Sequence, residues 1–237
     1  MIIKIISKIK KFIAYKVLWF FISKIKKVSK FQKANGIIQR EYLSKNPYKS
    51  YINHQKFKFY IYNFLGAFDD QKIKIENFKI NFSYLKLKFP NYQYTLCLGA
   101  RSGAEVQAFR DLGYFSIGID INYPKNSPYV LYGDFHNLDF PGNCFDVVYS
   151  NCLDHVYNYQ LFLKDVKRVL KKEGRIIFDI HTGINEETHH NNLGAFETKG
   201  WLTTQDLINE FQKHGLFLDE KKKINTIMNQ YVFKITK

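Results

Sequence analysis

The chain is poor in three things, and each shortage removes a class of function. Cysteine is the first: the three present, Cys97, Cys144 and Cys152, have neither zinc-ligand nor disulfide spacing. An odd, scattered set argues against a disulfide-stapled secreted domain and against a structural zinc site, and it suits a reducing, cytoplasmic setting. Long apolar runs are the second. Within the first thirty residues the most apolar stretch, residues 17–22, spans six positions with lysine on both sides. That is too short for a membrane span, and no small-residue cleavage site marks a removable signal peptide. Acidic residues early in the chain are the third: residues 1–94 hold four, against 20 Lys and Arg.

What is present is as unevenly spread. The net charge of +15 sits in residues 1–94, which carry +16, while residues 95–237 carry −1 and eleven of the 13 glycines. A chain of 237 residues holds one domain of ordinary size plus an extension. The charge split places the division there: a basic, glycine-poor extension over residues 1–93 and a nearly neutral, turn-rich domain over residues 94–237.

Residues 1–30 carry nine lysines and no acid. Ile2, Ile5, Ile6, Ile9 and Ile13 share one helical face and Lys4, Lys8 and Lys11 the other, the pattern of a basic amphipathic helix. Such a helix could lie on an anionic membrane surface; equally, its apolar face could pack on the domain or on a partner subunit. Nucleic acid is a third partner to weigh, because Lys56-Phe-Lys-Phe-Tyr-Ile-Tyr62 interleaves basic and aromatic residues. A region whose one arginine is Arg40 is poorly equipped for base reading, which argues against it. Residues 34–43 and 75–87 read as helices and residues 55–63 as a strand or extended arm. Together, residues 31–93 are placed as a possible substrate lid.

The chemistry-bearing stretch is residues 95–120. A short apolar run over residues 94–98 breaks at a glycine-flanked turn, Leu98-Gly99-Ala100-Arg101-Ser102-Gly103. A helical segment follows with Val106, Phe109 and Leu112 on one face, Gly113 stands where a helix stops, and a second apolar run ends on Asp120. This unit suits a nucleoside-bearing ligand. Glycines let backbone approach, the helix N-terminus offers free N–H groups, and a carboxylate 21 positions after Gly99 can accept from ribose hydroxyls.

Residues 129–134 read as a third strand ending on Asp134, residues 145–151 as a fourth, residues 161–171 as an amphipathic helix, and residues 175–180 as a fifth strand buried on both faces. Thr203 and Asp206 open a last helix that Gly215 closes. Two strand-like runs, residues 216–224 and 230–235, have so short a link that they can only form an antiparallel hairpin. The expected class is α/β, a mostly parallel sheet closed by that hairpin and preceded by the basic N-terminal helical extension. The hairpin, and a glycine turn that is not Gly-x-Gly-x-x-Gly, argue against a nicotinamide dehydrogenase.

In this order, the glycine turn, Asp120, Gly133-Asp134, Phe145-Asp-Val-Val-Tyr-Ser-Asn151, Arg168-Val-Leu-Lys-Lys-Glu-Gly174 and the closing hairpin resemble a known family. It is that of the class I S-adenosylmethionine-dependent methyltransferases, most nearly the small-molecule type 11 domain, over residues 94–237. Leu98 to Gly103, Gly133-Asp-Phe-His136 and Leu153-Asp-His155 also resemble a subgroup carrying Leu-Gly-Ala-Arg-x-Gly, Gly-Asp-Phe-His and Leu-Asp-His. The resemblance implies a Rossmann-like seven-stranded sheet, S-adenosyl-L-methionine as cofactor, and methyl transfer to a small-molecule or lipid- or sugar-type acceptor. By position it puts the methionine part against Leu98, Gly99, Ala100, Arg101 and Gly103, and the ribose on Asp120. The adenine falls between Ile121 and the Asp134-Phe135 corner with its amine on Asp134, and Asn151 faces the methyl group and substrate. The family's pattern is acid-x-Gly-x-Gly-x-Gly; here Cys97 stands at the acid and Arg101 at the middle glycine. Loss of that acid puts the usual contact to the cofactor's amino group in doubt. Arg101 either pairs with the cofactor's carboxylate or points to solvent.

Methyl transfer from a sulfonium is an in-line displacement, so alignment is the main contribution, worth about 7–11 kcal/mol at the extreme. A general base adds roughly 10²–10⁴-fold for a hydroxyl acceptor. Candidate bases stand just past strand tips: His155 beside Asp154, His181, and His136. The plain alternative for His155 is a structural hydrogen bond to the neighbouring loop. His189-His190 with Glu186 and Glu187 form a polar loop, solvated or weakly metal-binding, and no cluster requires a metal. The competing expectation, motivated by the altered glycine turn, is a domain that has lost catalysis and serves as an interaction module.

Overall fold

The computed structural model describes residues 29–65, 70–123, 127–186 and 193–235, together with positions 16 and 20. The expected amphipathic helix therefore lies almost wholly outside the described residues, as does the His189-His190 pair. Two expectations for the N-terminal part are corrected. Residues 34–43 are not a helix: β1 (Ser29–Ala34) and β2 (Ile37–Tyr42) pair as an antiparallel hairpin. The cause is the Asn35-Gly36 pair, with φ of +50° and +76°, since two successive positive φ values make the turn whose twist matches a hairpin. Residues 55–63 are not extended either, but lie within α1 (Pro47–Leu65). Pro47 suits the first helical position, and Tyr51, His54, Gln55 and Ile61 are buried at helical spacing. Alternation of lysine and aromatics over seven residues looks like a strand only in a window that short.

α2 (Gln71–Phe82) and α3 (Tyr84–Lys88) fulfil the expected helix, interrupted at Ser83. The Rossmann-like sheet then builds from β3 (Tyr94–Leu98), α4 (Ala104–Asp111), β4 (Phe115–Asp120), β5 (Val130–Tyr132) and β6 (Phe145–Ser150). A single 3-10 turn (Leu153–His155), α5 (Tyr159–Val169), β7 (Leu170–His181), β8 (Lys199–Trp201), α6 (Thr204–Lys213), β9 (Leu216–Lys223) and β10 (Met228–Ile235) complete it. Seven strands run in the order β5-β4-β3-β6-β7-β10-β9, parallel except for β10, which is antiparallel to both neighbours. The third strand is shorter than expected, because Gly133 and Asp134 turn away into the next loop.

Alternation sorts the central strands between two core layers. Leu96, Leu98, Val148, Ile176 and Phe178 face α5 and α6, while Cys97, Val147, Tyr149 and Ile177 face α2, α3 and α4. On the second face Phe82 of α2 stacks on Phe109 of α4 with ring centroids 4.1 Å apart. Each such buried ring contributes about 1.5–3 kcal/mol, enough to fix α2 against that face of the sheet.

β8, which no sequence signal announces, pairs with β2, so β1-β2-β8 is a separate three-stranded antiparallel sheet. Buried Arg40 reinforces the junction, donating to Glu197 O and Gly194 O at 2.9 Å each and to Ser29 Oγ at 3.0 Å. At α6 the anticipated cap is a full reciprocal box between Thr203 and Asp206.

Candidate active site

The C-terminal tips of β3, β4, β6 and β7 open on a cavity of about 440 Å³, with α1 and α2 along its other side. This is where open α/β sheets bind ligands, and the volume lies within the range of small-molecule sites.

The turn after β3 is shaped by its backbone. Gly99 and Gly103 have φ of +71° and +77°, and a Cβ on Gly99 would stand 2.3 Å from Cys152 Sγ. Arg101 also has positive φ, +36°, a left-handed conformation that costs a residue with a side chain about 1–2 kcal/mol. β4 holds this backbone in place. Gly99 N and Ala100 N donate to Ile119 O at 2.9 and 3.0 Å, and Arg101 N donates to Asp120 Oδ2 at 2.9 Å. Asp120 thus buttresses the turn, and its other oxygen takes Asn122 N at 2.6 Å. Burial raises its pKa, and these two N–H groups oppose the rise.

Of the residues expected at a cofactor, Gly99, Ala100, Arg101, Asp120, Ile121, Phe135 and Asn151 line the cavity together. Leu98 lies in the core behind the turn, and Gly103 caps α4. Asp134 is engaged elsewhere. It accepts from Tyr48 OH, from His136 N at 2.9 Å and from His136 Nδ1 at 3.0 Å. Burial would raise its pKa, but the hydrogen bonds from His136 and Tyr48 outweigh it and hold the group below its ordinary value. His136 Nε2 accepts from Tyr157 N at 3.0 Å and Asn158 N at 3.2 Å. With both ring nitrogens committed, His136 latches α1 to the loop before α5.

Asp154, His155 and His181 do converge on the cavity. A fourth group joins them from α1: Lys58 Nζ lies 2.5 Å from His155 Nε2, and Asp154 Oδ2 lies 3.6 Å from that nitrogen. Burial, then the charge of Lys58, push His155 far below the usual histidine range, with Glu197 opposing. Burial lowers Lys58 as well, against Asp154 and Glu197. Asp154, His155 and Glu197 bring one ligand atom each within 4.8 Å of one another, a set able to hold a divalent ion. His181 is fixed through its carbonyl, which accepts Trp201 Nε1 at 3.0 Å.

Sequence reasoning missed Lys58, Lys74, Glu105 and Asp179, all of which line the cavity. Lys58 follows Tyr51 and Gln55 at helical spacing, a signal visible only once α1 is known to be a helix. Glu105 was readable, as an acid inside the buried face of Ala104, Val106, Ala108 and Phe109, and burial pushes it up to about 7. Asp179 interrupts an apolar strand. It accepts from Tyr149 OH at 2.6 Å and Gln230 Nε2 at 3.0 Å, and burial pushes its carboxyl up to about 6.

Residues 96–178, the segment that carries the turn, Asp120 and the first four strands of the cavity, match the family model described as a methyltransferase domain. Over that segment, about a third of the chain, the sequence is similar to a methyltransferase domain. The fold agrees with those of solved methyltransferases. One is a 1,6-didemethyltoxoflavin-N1-methyltransferase from Burkholderia thailandensis, with bound 1,6-didemethyltoxoflavin and S-adenosylhomocysteine. Its TM-score is 0.65 at 14% identity, over 88% of this chain and 99% of that one. A TehB-like SAM-dependent methyltransferase from Corynebacterium glutamicum has a TM-score of 0.51 at 18% identity, over 81% of this chain and 100% of that one. The glycopeptide N-methyltransferase MtfA complexed with S-adenosylmethionine has a TM-score of 0.52 at 13% identity, over 68% and 94%. At such identities the likeness is one of fold. The comparison with curated proteins found no match.

Proposed function

We propose that this chain is an S-adenosylmethionine-dependent methyltransferase acting on a small-molecule acceptor. The observation that carries the reading is the cavity itself. A positive-φ glycine turn with Asp120 and the set Lys58, Asp154 and His155 line it together, near enough for Lys58 to act on Asp120 and Arg101 on His155. The cofactor, when bound, would supply the electrophilic methyl carbon. The backbone of Leu98 to Gly103 would receive its methionine part, Asp120 its ribose, and Ile121 and Phe135 its adenine. The adenine amine would reach Asp134 only by sharing it with Tyr48 or displacing that hydroxyl. Asn151, at the tip of β6, would face the methyl group and acceptor.

For the acceptor, His155, Asp154 and His181 are the groups that could take a proton. Lys58 alters their roles. While its ammonium donates to His155 Nε2, that nitrogen has no lone pair for the substrate, so either Lys58 shifts or its own amine, made easier to deprotonate by burial, takes the proton. α1 and α2 would act as the lid, with residues 1–93 as extension and residues 94–237 as catalytic domain. The nine lysines of residues 1–30 would hold the enzyme at an anionic membrane surface on the cytoplasmic side, whereas no helix of the described residues is long and apolar enough to cross a membrane.

The test is calorimetry with S-adenosylhomocysteine, followed by turnover of radiolabelled S-adenosylmethionine across a panel of small hydroxyl, amine and lipid-like acceptors. Micromolar binding with turnover of one acceptor class is expected. Absence of binding overturns the reading. Binding without any turnover would favour a non-catalytic interaction module, which the departures at Cys97 and Arg101 motivate.

A further inference from the structure

The acid that opens the family's glycine turn is replaced here by Cys97, which is fully buried against Ser116 and does not line the cavity. A carboxylate does line it nearby. Glu105 is the second residue of α4, 6% exposed, and its carboxylate accepts its own backbone N–H in the first helical turn. The charged and titratable groups that act on it from the surrounding elements are Arg101 in the turn, Asp120 on β4, Lys74 on α2, Cys97 on β3, Tyr149 on β6 and Cys152. A carboxylate held this deep is costly to ionise without a cation, and burial accordingly pushes it up to about 7. Arg101 and Lys74 line the same cavity and both act electrostatically on Glu105, so a buried acid and two bases stand near one another beside the turn. That is a complement to a zwitterion.

We propose that Glu105 binds the ammonium of the cofactor's amino-acid end, in place of the acid missing at position 97, while Arg101 and Lys74 receive the carboxylate of that end. The inference rests on the cofactor named under the proposed function. It also moves part of cofactor recognition onto α2, an element of the N-terminal part.

The bland alternative is that Glu105 merely complements the positive end of α4. Calorimetry on the full chain separates the two, with S-adenosylhomocysteine and 5′-methylthioadenosine, which lacks the amino-acid end. Glu105→Gln should weaken S-adenosylhomocysteine at least tenfold and leave methylthioadenosine unchanged, which also shows that the variant folds. Glu105→Asp should recover part of the loss, and Lys74→Met should show the same selectivity. Binding to the ammonium displaces the proton of Glu105, so wild-type affinity for S-adenosylhomocysteine should rise with pH up to about 7 and then level, a slope absent from Glu105→Gln. Equal loss for both ligands, or no loss for either, would overturn the inference while leaving the cofactor reading intact. If the wild type binds neither ligand, the cofactor reading fails and this inference with it.

Discussion

Two parts of the cavity lining are built by different means. The part beside Asp120 comes from one contiguous strand–turn–helix–strand unit, held by backbone hydrogen bonds and positive-φ residues. The part beside His155 comes from remote segments: Lys58 on α1, Asp154 and His155 after β6, and Glu197 before β8. The first is held by local backbone hydrogen bonds, the second by side chains brought together from separate elements. Under the proposed function, most of the cofactor's contacts would be local in sequence, whereas those of the acceptor would depend on tertiary convergence.

The sharpest way to break this contrast is in the charged part. Lys58→Met and His155→Gln should each lower turnover by about 10²–10⁴-fold while leaving S-adenosylhomocysteine affinity within about threefold, as loss of a proton-transferring group does. Single-turnover kinetics with parallel calorimetry reads both. If affinity falls as far as turnover, the two parts are not separable. In the other part, Asp120→Ala should weaken S-adenosylhomocysteine more than tenfold, about 1.4 kcal/mol or more. It should also lower the melting temperature, because Arg101 N loses its acceptor. Unchanged affinity would remove the ribose from Asp120.

Buried groups of the N-terminal part and of the cavity should also answer pH in opposite directions. His54, buried against Tyr42 in the N-terminal part, is pushed by burial from 6.5 down to about 3. The unfolded chain takes up that proton below 6.5 and the native protein does not, so stability is present above that pH and drains away toward 3. Glu105 is raised from 4.5 to about 7, so the native protein keeps a proton that the unfolded chain has lost. Its contribution is full below 4.5 and disappears as pH rises to about 7. Melting temperatures of His54→Gln and Glu105→Gln across this range should flatten the acid and neutral limbs respectively; parallel profiles in both variants would sink the contrast. The smallest expected effect is at Arg101. Replacement by Gly relieves left-handed strain of about 1–2 kcal/mol but adds about 0.5–1 kcal/mol of unfolded-chain entropy, so Arg101→Gly should stabilise by about 0–1.5 kcal/mol. Denaturant titration measures it.

Legibility in the sequence follows the same division. The order of strands, the closing hairpin, the Thr203 cap and the Gly99–Asp120 cradle are written in local periodicity and turn chemistry, and the structure reproduces them. In residues 34–43 the deciding signal is Asn35-Gly36, two residues that set the conformation of the twelve strand residues around them. Residues 55–63 misled because a seven-residue window of alternating Lys and aromatics cannot reveal a 19-residue helix. Lys58 was hidden for the same reason, since nothing local distinguishes it from its solvated neighbours. Asp134 was expected to be open to a ligand. Its partner Tyr48 lies 86 residues earlier and carries no motif.

The three-stranded sheet has a consequence for how the protein is made. β1 and β2 leave the ribosome early, but their third strand is β8, at residues 199–201, and Arg40 finds its carbonyl partners at positions 194 and 197. The hairpin can form at once by local pairing, yet its outer edge and a buried guanidinium wait while more than 150 residues are synthesised. Through that interval the nascent chain exposes an unpaired strand edge in a strongly cationic segment, where mutual repulsion between chains opposes edge-to-edge association. The lysines around β1 and β2 would oppose such association until residues 199–201 complete the sheet.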